Sequence, residues 1–255
     1  RNVYRRRLLK LFVQRRKAKI IYLPKKKEMY NSVDVRKYDH IIIAGGDGSF
    51  ESALNYKLFQ NKSLGFFPLG AGNAFYSYFY KGKRFEYLRS RFPFREVEMD
   101  VLEMEWDHGK VQTMFCTIGV DAEVIKLSKT EGNKSGFWHY FNASLEALFT
   151  LKPSYNLKLS VEKRKINWDN TVNFTIGKVP YYGFGVRSLL GKMLPSDGHI
   201  LGLAVVNTHS AIFNKPLRIW ALLLSMTGIY KAPLVAVKGK EMVLESDKKF
   251  PIQVG

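Results

Sequence analysis

The sequence predicts an α/β domain over residues 1–95 followed by a mainly antiparallel β domain over residues 96–255, with a cleft between them. Two glycine-rich turns predict the first part, each following a short apolar run and opening a helical pattern. A change near residue 95 to long alternating segments predicts the second. At 255 residues, with 46% hydrophobic and 25% charged side chains, the chain can bury one or two proper cores.

The elements of the first domain follow in order. Tyr4, Leu8, Leu11 and Phe12 repeat at helical spacing, so the chain begins in an amphipathic helix. Its polar face is basic: Arg5, Arg6, Arg7, Lys10, Arg15, Arg16, Lys17 and Lys19 fall here, and no Asp or Glu occurs from Arg1 to Lys27. Ile41, Ile42, Ile43 and Ala44 carry no charge and are mostly β-branched, which predicts a parallel strand buried on both faces. Phe50, Ala53, Leu54 and Leu58 then recur at helical spacing, with Ser49 placed to cap their helix. Leu64 to Pro68 is a second apolar strand, leading through Leu69, Gly70, Ala71, Gly72 and Asn73 to a helix start at Ala74 and Phe75.

Between the first strand and its helix lies Gly45-Gly46-Asp47-Gly48-Ser49. Glycine lets backbone amides approach a ligand closely, and the first amides of a helix favour anions, so phosphate oxygens suit this turn. Asp47 would repel bound phosphate unless it holds a magnesium ion or accepts a proton from a hydroxyl nucleophile. The bland alternative is a tight turn with no chemistry. A second turn one strand-helix unit later favours chemistry, because both would lie side by side at the carboxyl edge of one parallel sheet, where ligands of open α/β sheets bind.

In the second domain, Val97 to Trp106 and Val111 to Val120 flank a hairpin turn at Asp107-His108-Gly109-Lys110. Further strands are predicted at Tyr155 to Glu162, Val172 to Lys178, Ile200 to Asn207, Leu234 to Val237 and Glu241 to Glu245. Helical patterns intervene at Trp138 to Thr150 and Ile212 to Ile229.

Four segments, in order, resemble the lipid kinases with a diacylglycerol-kinase catalytic domain, a family that includes sphingosine and ceramide kinases and is distantly related to NAD kinases and phosphofructokinases. Gly45-Gly46-Asp47-Gly48-Ser49 resembles the family's Gly-Gly-Asp-Gly-Thr, and Pro68-Leu69-Gly70-Ala71-Gly72-Asn73 its Pro-Leu-Gly-Thr-Gly-Asn. Ile118-Gly119-Val120-Asp121-Ala122-Glu123 is similar to Gly-Ile-Gly-Phe-Asp-Ala. Pro180 to Gly185 followed by Pro195-Ser196-Asp197-Gly198 resembles the later Gly-Gly-Gly and Pro-x-x-Asp-Gly elements.

The resemblance implies a parallel-sheet nucleotide domain of the NAD-kinase and phosphofructokinase type, then an antiparallel β-sandwich. It implies an enzyme that uses ATP and Mg2+ to phosphorylate a lipid hydroxyl, such as that of diacylglycerol or a sphingoid base. Gly45, Gly46, Gly48, Ser49, Gly70, Ala71, Gly72 and Asn73 would cradle the nucleotide, and Asp47 would be the catalytic acid or magnesium organiser. Asp121 would contact substrate, although an acid at a strand end is also a common turn or structural acceptor; Asp100 is similarly ambiguous. Asp197 would serve a structural magnesium site, with Gly202 near where members often carry a second acid. Pro251-Ile252-Gln253-Val254-Gly255 resembles the start of Gln-Val-Asp-Gly-Glu, which implies that an acid assisting the acceptor hydroxyl follows beyond Gly255. The family's opening strand, with its Asn-Pro element, is expected ahead of Arg1.

The formal charge of +19 predicts anionic partners. The basic start is consistent with a solvated helix face, a nucleic-acid patch or attachment to anionic lipid headgroups. No zinc-ligand pattern, RNA-binding signature or helix-turn-helix supports nucleic acid. The apolar stretch Ile219 to Ile229 is too short to span a bilayer, and no signal peptide is recognisable. The lone Cys116 cannot form an internal disulfide and reads as a core residue of an apolar strand. These points predict a cytoplasmic protein, peripheral at the membrane.

Other chemistries lack support. Gly185 to Lys192 departs from a Walker A loop, with Met193 where magnesium binding needs Ser or Thr. The turn at Gly70 and Gly72 lacks the third fingerprint glycine of dinucleotide sites. His40, His108, His139, His199 and His209 show no ligand spacing, and Ser188 and Ser210 lack a nucleophile-elbow context. A soluble-substrate kinase of the NAD-kinase type and a non-catalytic lipid- or nucleotide-binding relative are the alternatives to a lipid kinase.

Overall fold

A computed structural model describes residues 2–22, 34–70, 72–80, 95–130, 142–147, 154–179, 181–183, 186–187, 196–207, 216–221, 224 and 233–254. The chain divides into two compact units, Arg1–Val97 and Glu98–Gly255.

The first unit is built on two parallel strands, β1 (His40–Gly45) and β2 (Ser63–Pro68), in register from His40 opposite Ser63 to Gly45 opposite Pro68. Helix α1 (Asn2–Arg16) packs by Phe12, whose ring meets Phe67 edge-on at 5.1 Å. Its inward face is Leu8, Leu9, Phe12 and Val13, whereas the predicted stripe members Tyr4 and Leu11 are exposed. The stripe is rotated because Arg5 and Arg16 occupy the inner side, where long basic side chains bury their stems. Helix α2 (Asp47–Leu54) follows β1, and helix α3 (Ala74–Phe79) follows β2. Phe50, Phe66, Phe75 and Phe79 form one aromatic cluster, with Phe50 4.9 Å from Phe75 and 5.7 Å from Phe66, and this locks both helices to β2. The predicted cap moves: α2 starts at Asp47 behind Gly46, so Ser49 lies inside its first turn rather than ahead of it.

In the second unit, a seven-stranded antiparallel sheet replaces the short parallel pair. Strand β3 (Leu102–Trp106) and β4 (Gly109–Thr113) form the predicted hairpin around Asp107 and His108. The second predicted arm breaks, however. Thr113 Oγ1 donates to Phe115 O at 2.8 Å and accepts from Phe115 N at 3.1 Å, which ends β4 and starts a separate strand, β5 (Phe115–Gly119). Helix α4 (Val120–Thr130) follows β5 directly.

Strand β6 (Tyr155–Val161) turns through Glu162 and Lys163 into β7 (Arg164–Gly177), twice the predicted length. This first half was not among the predicted strands; its exposed Lys165, Asn167 and Asp169 alternate with the inward Ile166 and Trp168. Two short strands, β8 (Tyr181–Gly183) and β9 (Val186–Arg187), pair with each other. Strand β10 (Ile200–Val206), β11 (Leu234–Gly239), β12 (Met242–Ser246) and β13 (Ile252–Val254) complete the sheet, in which β7 lies between β10 and β5, and β13 flanks β5. Ile118, Leu157, Leu159, Trp168, Phe174, Ala204 and Val237 form the main core. Residues 142–147 and 216–221 are helical, within the predicted helical segments, and their Ala143, Ala147 and Ala221 pack on the sheet. Among the described residues, no helix is long and apolar enough to cross a membrane.

Candidate active site

The register of β1 and β2 ends with Gly45 opposite Pro68, so the two following turns leave the sheet at one edge. Gly45 O accepts N–H groups from both Leu69, at 2.8 Å, and Gly70, at 3.0 Å. This stitches the second turn onto the first. Gly46 and Gly70 then touch backbone to backbone: a Cβ on Gly70 would collide with the Cα of Gly46. The close approach requires glycine there.

Gly48 has a different reason. A Cβ on it would meet nothing within 4 Å, so the fold itself does not demand glycine. Glycine inside a helix costs about 1 kcal/mol relative to alanine, and an exposed position that accepts this cost beside two clasped turns suits close approach of a ligand. Ser49 is exposed on the same turn, with its hydroxyl beside Gly45.

Asp47 bridges the two turns. Its Oδ1 accepts the Phe75 N–H at 3.2 Å, across 28 residues of sequence, and further N–H groups from Asn73 and Ala74 face the carboxylate. The acid therefore caps the start of α3, a role the sequence did not reveal. Burial raises its pKa above the ordinary carboxylate value, because loss of water outweighs these amide contacts. Asn73, in the left-handed region at φ 53°, donates from Nδ2 to Gly70 O at 2.7 Å and so braces the second turn from within. Its Oδ1 is buried and has no hydrogen-bond partner among the described residues. Gly72 is half-buried beside it, and Ala71 lies outside the described residues.

Arg5 was not singled out in the sequence from its basic neighbours. Its guanidinium on α1 donates to Leu69 O at 3.2 Å and to Gly70 O, holding the outer side of the same turn. Only the contact, not the charge run, distinguishes it.

The remaining predicted residues belong to the second unit. Gly119 adopts φ 97° between β5 and α4, and a Cβ there would strike Val172 O. That turn places Asp121 in the first turn of α4 rather than at a strand end. Asn173 clasps it at two points: Asp121 N–H donates to Asn173 Oδ1 at 3.0 Å, and Asn173 Nδ2 donates to Asp121 Oδ2 at 2.8 Å. Thr117 and Thr175, both buried, also approach Oδ2, at 3.3 and 3.4 Å. This polar cluster lies on one face of β5 and β7, opposite the face that carries Ile118 and Phe174.

Asp197 sits in a cluster of charges. Lys238 Nζ lies 2.8 Å from its Oδ2, and Lys178 Nζ lies 3.3 Å from its Oδ1. Lys238, then the His199 N–H and Lys178, hold its pKa far below the usual carboxylate range. Lys178 also pairs with Asp100 at 2.7 Å, which lowers the Asp100 pKa. Asp100 is thus a structural partner in this cluster. Tyr181 to Gly183 are described as β8, but Pro180, Phe184, Gly185 and Pro195 of the later motifs lie outside the described residues. Cys116 is a core residue whose thiol burial pushes up to about 12, with its Sγ 3.4 Å from Met104 Sδ.

Comparison with known proteins agrees with the motifs. Residues 6–104 match the diacylglycerol kinase catalytic domain. Among solved structures, one described as "a putative diacylglycerol kinase" from Bacillus anthracis str. Sterne aligns with TM-score 0.68 at 14% identity, over 98% of this chain and 84% of that one. A structure described as a diacylglycerol kinase from the same organism aligns with TM-score 0.61 at 17% identity, over 93% and 77%. At such identities the likeness is one of fold. Among curated proteins none matches. Residues 6–104, which hold both glycine turns, are thus similar to the diacylglycerol kinase catalytic domain.

Proposed function

We propose that this chain is the catalytic portion of a lipid kinase that transfers the terminal phosphoryl group of ATP to a lipid hydroxyl. The observation that carries the reading is the clasp of Gly46 against Gly70, which makes two glycine turns into one surface bordered by Gly45, Gly48, Ser49, Gly72 and Asn73. Its first unit would be a nucleotide domain of the NAD-kinase type.

The residues fit the nucleotide. Gly48 leaves space where a side chain would intrude, and the buried Oδ1 of Asn73 still needs a donor. Asp47 fits a magnesium ion that arrives with the phosphates, since Mg2+ takes few protein ligands beside phosphate and water. When bound, that ion would offset charge on the transferring group. In the reaction, the lipid oxygen forms a bond to the outermost phosphorus, the bond from that phosphorus to the bridging oxygen breaks, and ADP leaves with the electron pair. The hydroxyl proton must go to a base. Burial makes Asp47 a better proton acceptor than an ordinary carboxylate. Most of the acceleration would come from positioning and electrostatics.

Asp121, held in place by Asn173, would contact the lipid substrate. The basic α1, whose solvent side adds Val3, Tyr4 and Leu11, would hold the enzyme at an anionic membrane surface as a peripheral cytoplasmic protein. One observation favours a second reading, a non-catalytic nucleotide-binding relative: Asp47 already has a structural task at α3. Incubation of the complete protein with radiolabelled ATP, magnesium and a mixed lipid extract separates the readings. Label in the organic phase supports the lipid kinase; label in a soluble product supports an NAD-kinase-type enzyme; binding of ATP without transfer supports the non-catalytic relative.

A further inference from the structure

The resemblance places a structural magnesium ion at Asp197, and the side chains around that residue do not fit one. Asp197 Oδ2 faces Lys238 Nζ at 2.8 Å, while its Oδ1 faces Lys178 Nζ at 3.3 Å and accepts the His199 N–H at 3.0 Å. Asp100 Oδ2 faces the same Lys178 Nζ at 2.7 Å and accepts the Gly198 N–H at 2.7 Å. Two carboxylates and two ammonium groups are thus already neutral together. Magnesium demands close to six oxygen ligands and calcium six to eight, whereas both carboxylate oxygens of Asp197 face a lysine and Asp100 offers at most its Oδ1. Any divalent ion would also stand beside two fixed positive charges. Among the described residues, no group of three or more acidic, histidine or cysteine side chains could hold a metal.

Burial shows that the lysines are built in. The Lys178 side chain is 2% exposed, and its backbone N–H donates to Met114 O at 2.8 Å just past the end of β7. A fully buried ammonium is stable only when paired and hydrogen-bonded, and both of its carboxylate partners are in place. Lys238, half exposed, reaches in from β11. The cluster therefore ties together four segments: the approach to β3 at Asp100, the end of β7 at Lys178, the turn into β10 at Asp197 and Gly198, and β11 at Lys238. Holding separate strands by shared charge is what a structural metal does in a fold.

We infer that Lys178 and Lys238 take the place of a divalent cation at Asp197, so the second unit is held together by internal ammonium groups and is independent of metal. The inference concerns folding, and it stands whether or not the chain transfers phosphate.

The test is thermal unfolding of the complete protein without nucleotide, in EDTA and then in millimolar Mg2+ or Ca2+, for the native sequence and for Lys238→Ala, Asp197→Asn and the surface control Lys240→Ala. The inference expects the same melting temperature for the native protein with and without either ion, a decrease of several degrees for Lys238→Ala and Asp197→Asn in EDTA, and no decrease for Lys240→Ala. Lys238 is half exposed, so its variant keeps the core and folds. A rise in the native melting temperature on adding either ion, lost in Asp197→Asn, would overturn the inference. So would a Lys238→Ala protein as stable as the native one.

Discussion

Gly46 and Gly70, 24 positions apart, lie in van der Waals contact through their backbones, and neither can carry a side chain without moving the other. The parallel register of β1 and β2 brings them there, and Gly45 O fixes the approach by accepting both Leu69 and Gly70 N–H groups. Substituting Gly70 with alanine should destabilise the first unit by about 1–3 kcal/mol, the usual cost of overpacking, and abolish nucleotide binding. Denaturant melts and equilibrium binding of ATP would check both.

Gly48→Ala should separate fold from function. The fold offers open space at this position, and alanine is the better helix former by about 1 kcal/mol. The variant should therefore melt at or above the native temperature while losing ATP affinity. Equal affinity would show that the open space is not where phosphate binds.

The structural contact of Asp47 and its proposed catalytic task are distinguished by its variants. Asp47→Ala removes the acceptor at the start of α3 and should cost about 1–2 kcal/mol, as for other lost caps. Asp47→Asn keeps a side-chain oxygen and should fold nearly normally; phosphoryl transfer should nonetheless disappear. The pH dependence has a definite sign. Because the folded pKa of Asp47 is raised, the native state binds a proton more tightly than the unfolded chain. Its contribution is present below the ordinary value of 3.8 and declines as pH rises through the folded value, a slope that Asp47→Asn should remove.

Asp197 and Asp100 act with the opposite sign. Their folded pKa values are lowered by Lys238 and Lys178 respectively, so their contribution is present above 3.8 and is lost as pH falls through the folded values. Acid unfolding of Asp197→Asn should show a shallower loss of stability in that range than the native protein.

Much of this architecture was legible from local pattern. Ile41 to Ala44 is a strand as expected but not one buried on both faces, since only Ile43 is buried and Ala44 is exposed where β1 pairs with β2 alone among the described residues; the strand-turn-helix order around both glycine turns follows from where apolar spacing changes period. The start of α2 was misplaced by three residues because Ser49 suits a cap, yet Gly46 takes that position. The first half of β7 was hidden by its charges, which face water on alternate positions. What the sequence could not show were partners distant along the chain. Asp47 meets Phe75 across 28 residues, Asn173 meets Asp121 across 52, and Lys178 meets Asp100 across 78. No spacing rule encodes such contacts; sheet register decides them. Arg5 illustrates the same limit, since nothing in Arg5-Arg6-Arg7 marks which guanidinium faces Gly70.

Arg5→Ala should weaken ATP binding several-fold through loosening of the Leu69 and Gly70 carbonyls, corresponding to about 1 kcal/mol, the net worth of a typical hydrogen bond. Neutralising the exposed Arg6, Arg7 and Lys10 should leave ATP binding intact and instead reduce adsorption to anionic vesicles, measured by sedimentation at low and high salt.

Hydrogen–deuterium exchange of the complete protein with and without ATP and magnesium tests the central claim most directly. The two clasped turns predict that backbone amides over residues 45–49 and 69–73 gain protection together when nucleotide is added. Protection of one turn alone, or of neither while nucleotide binds elsewhere, would contradict it.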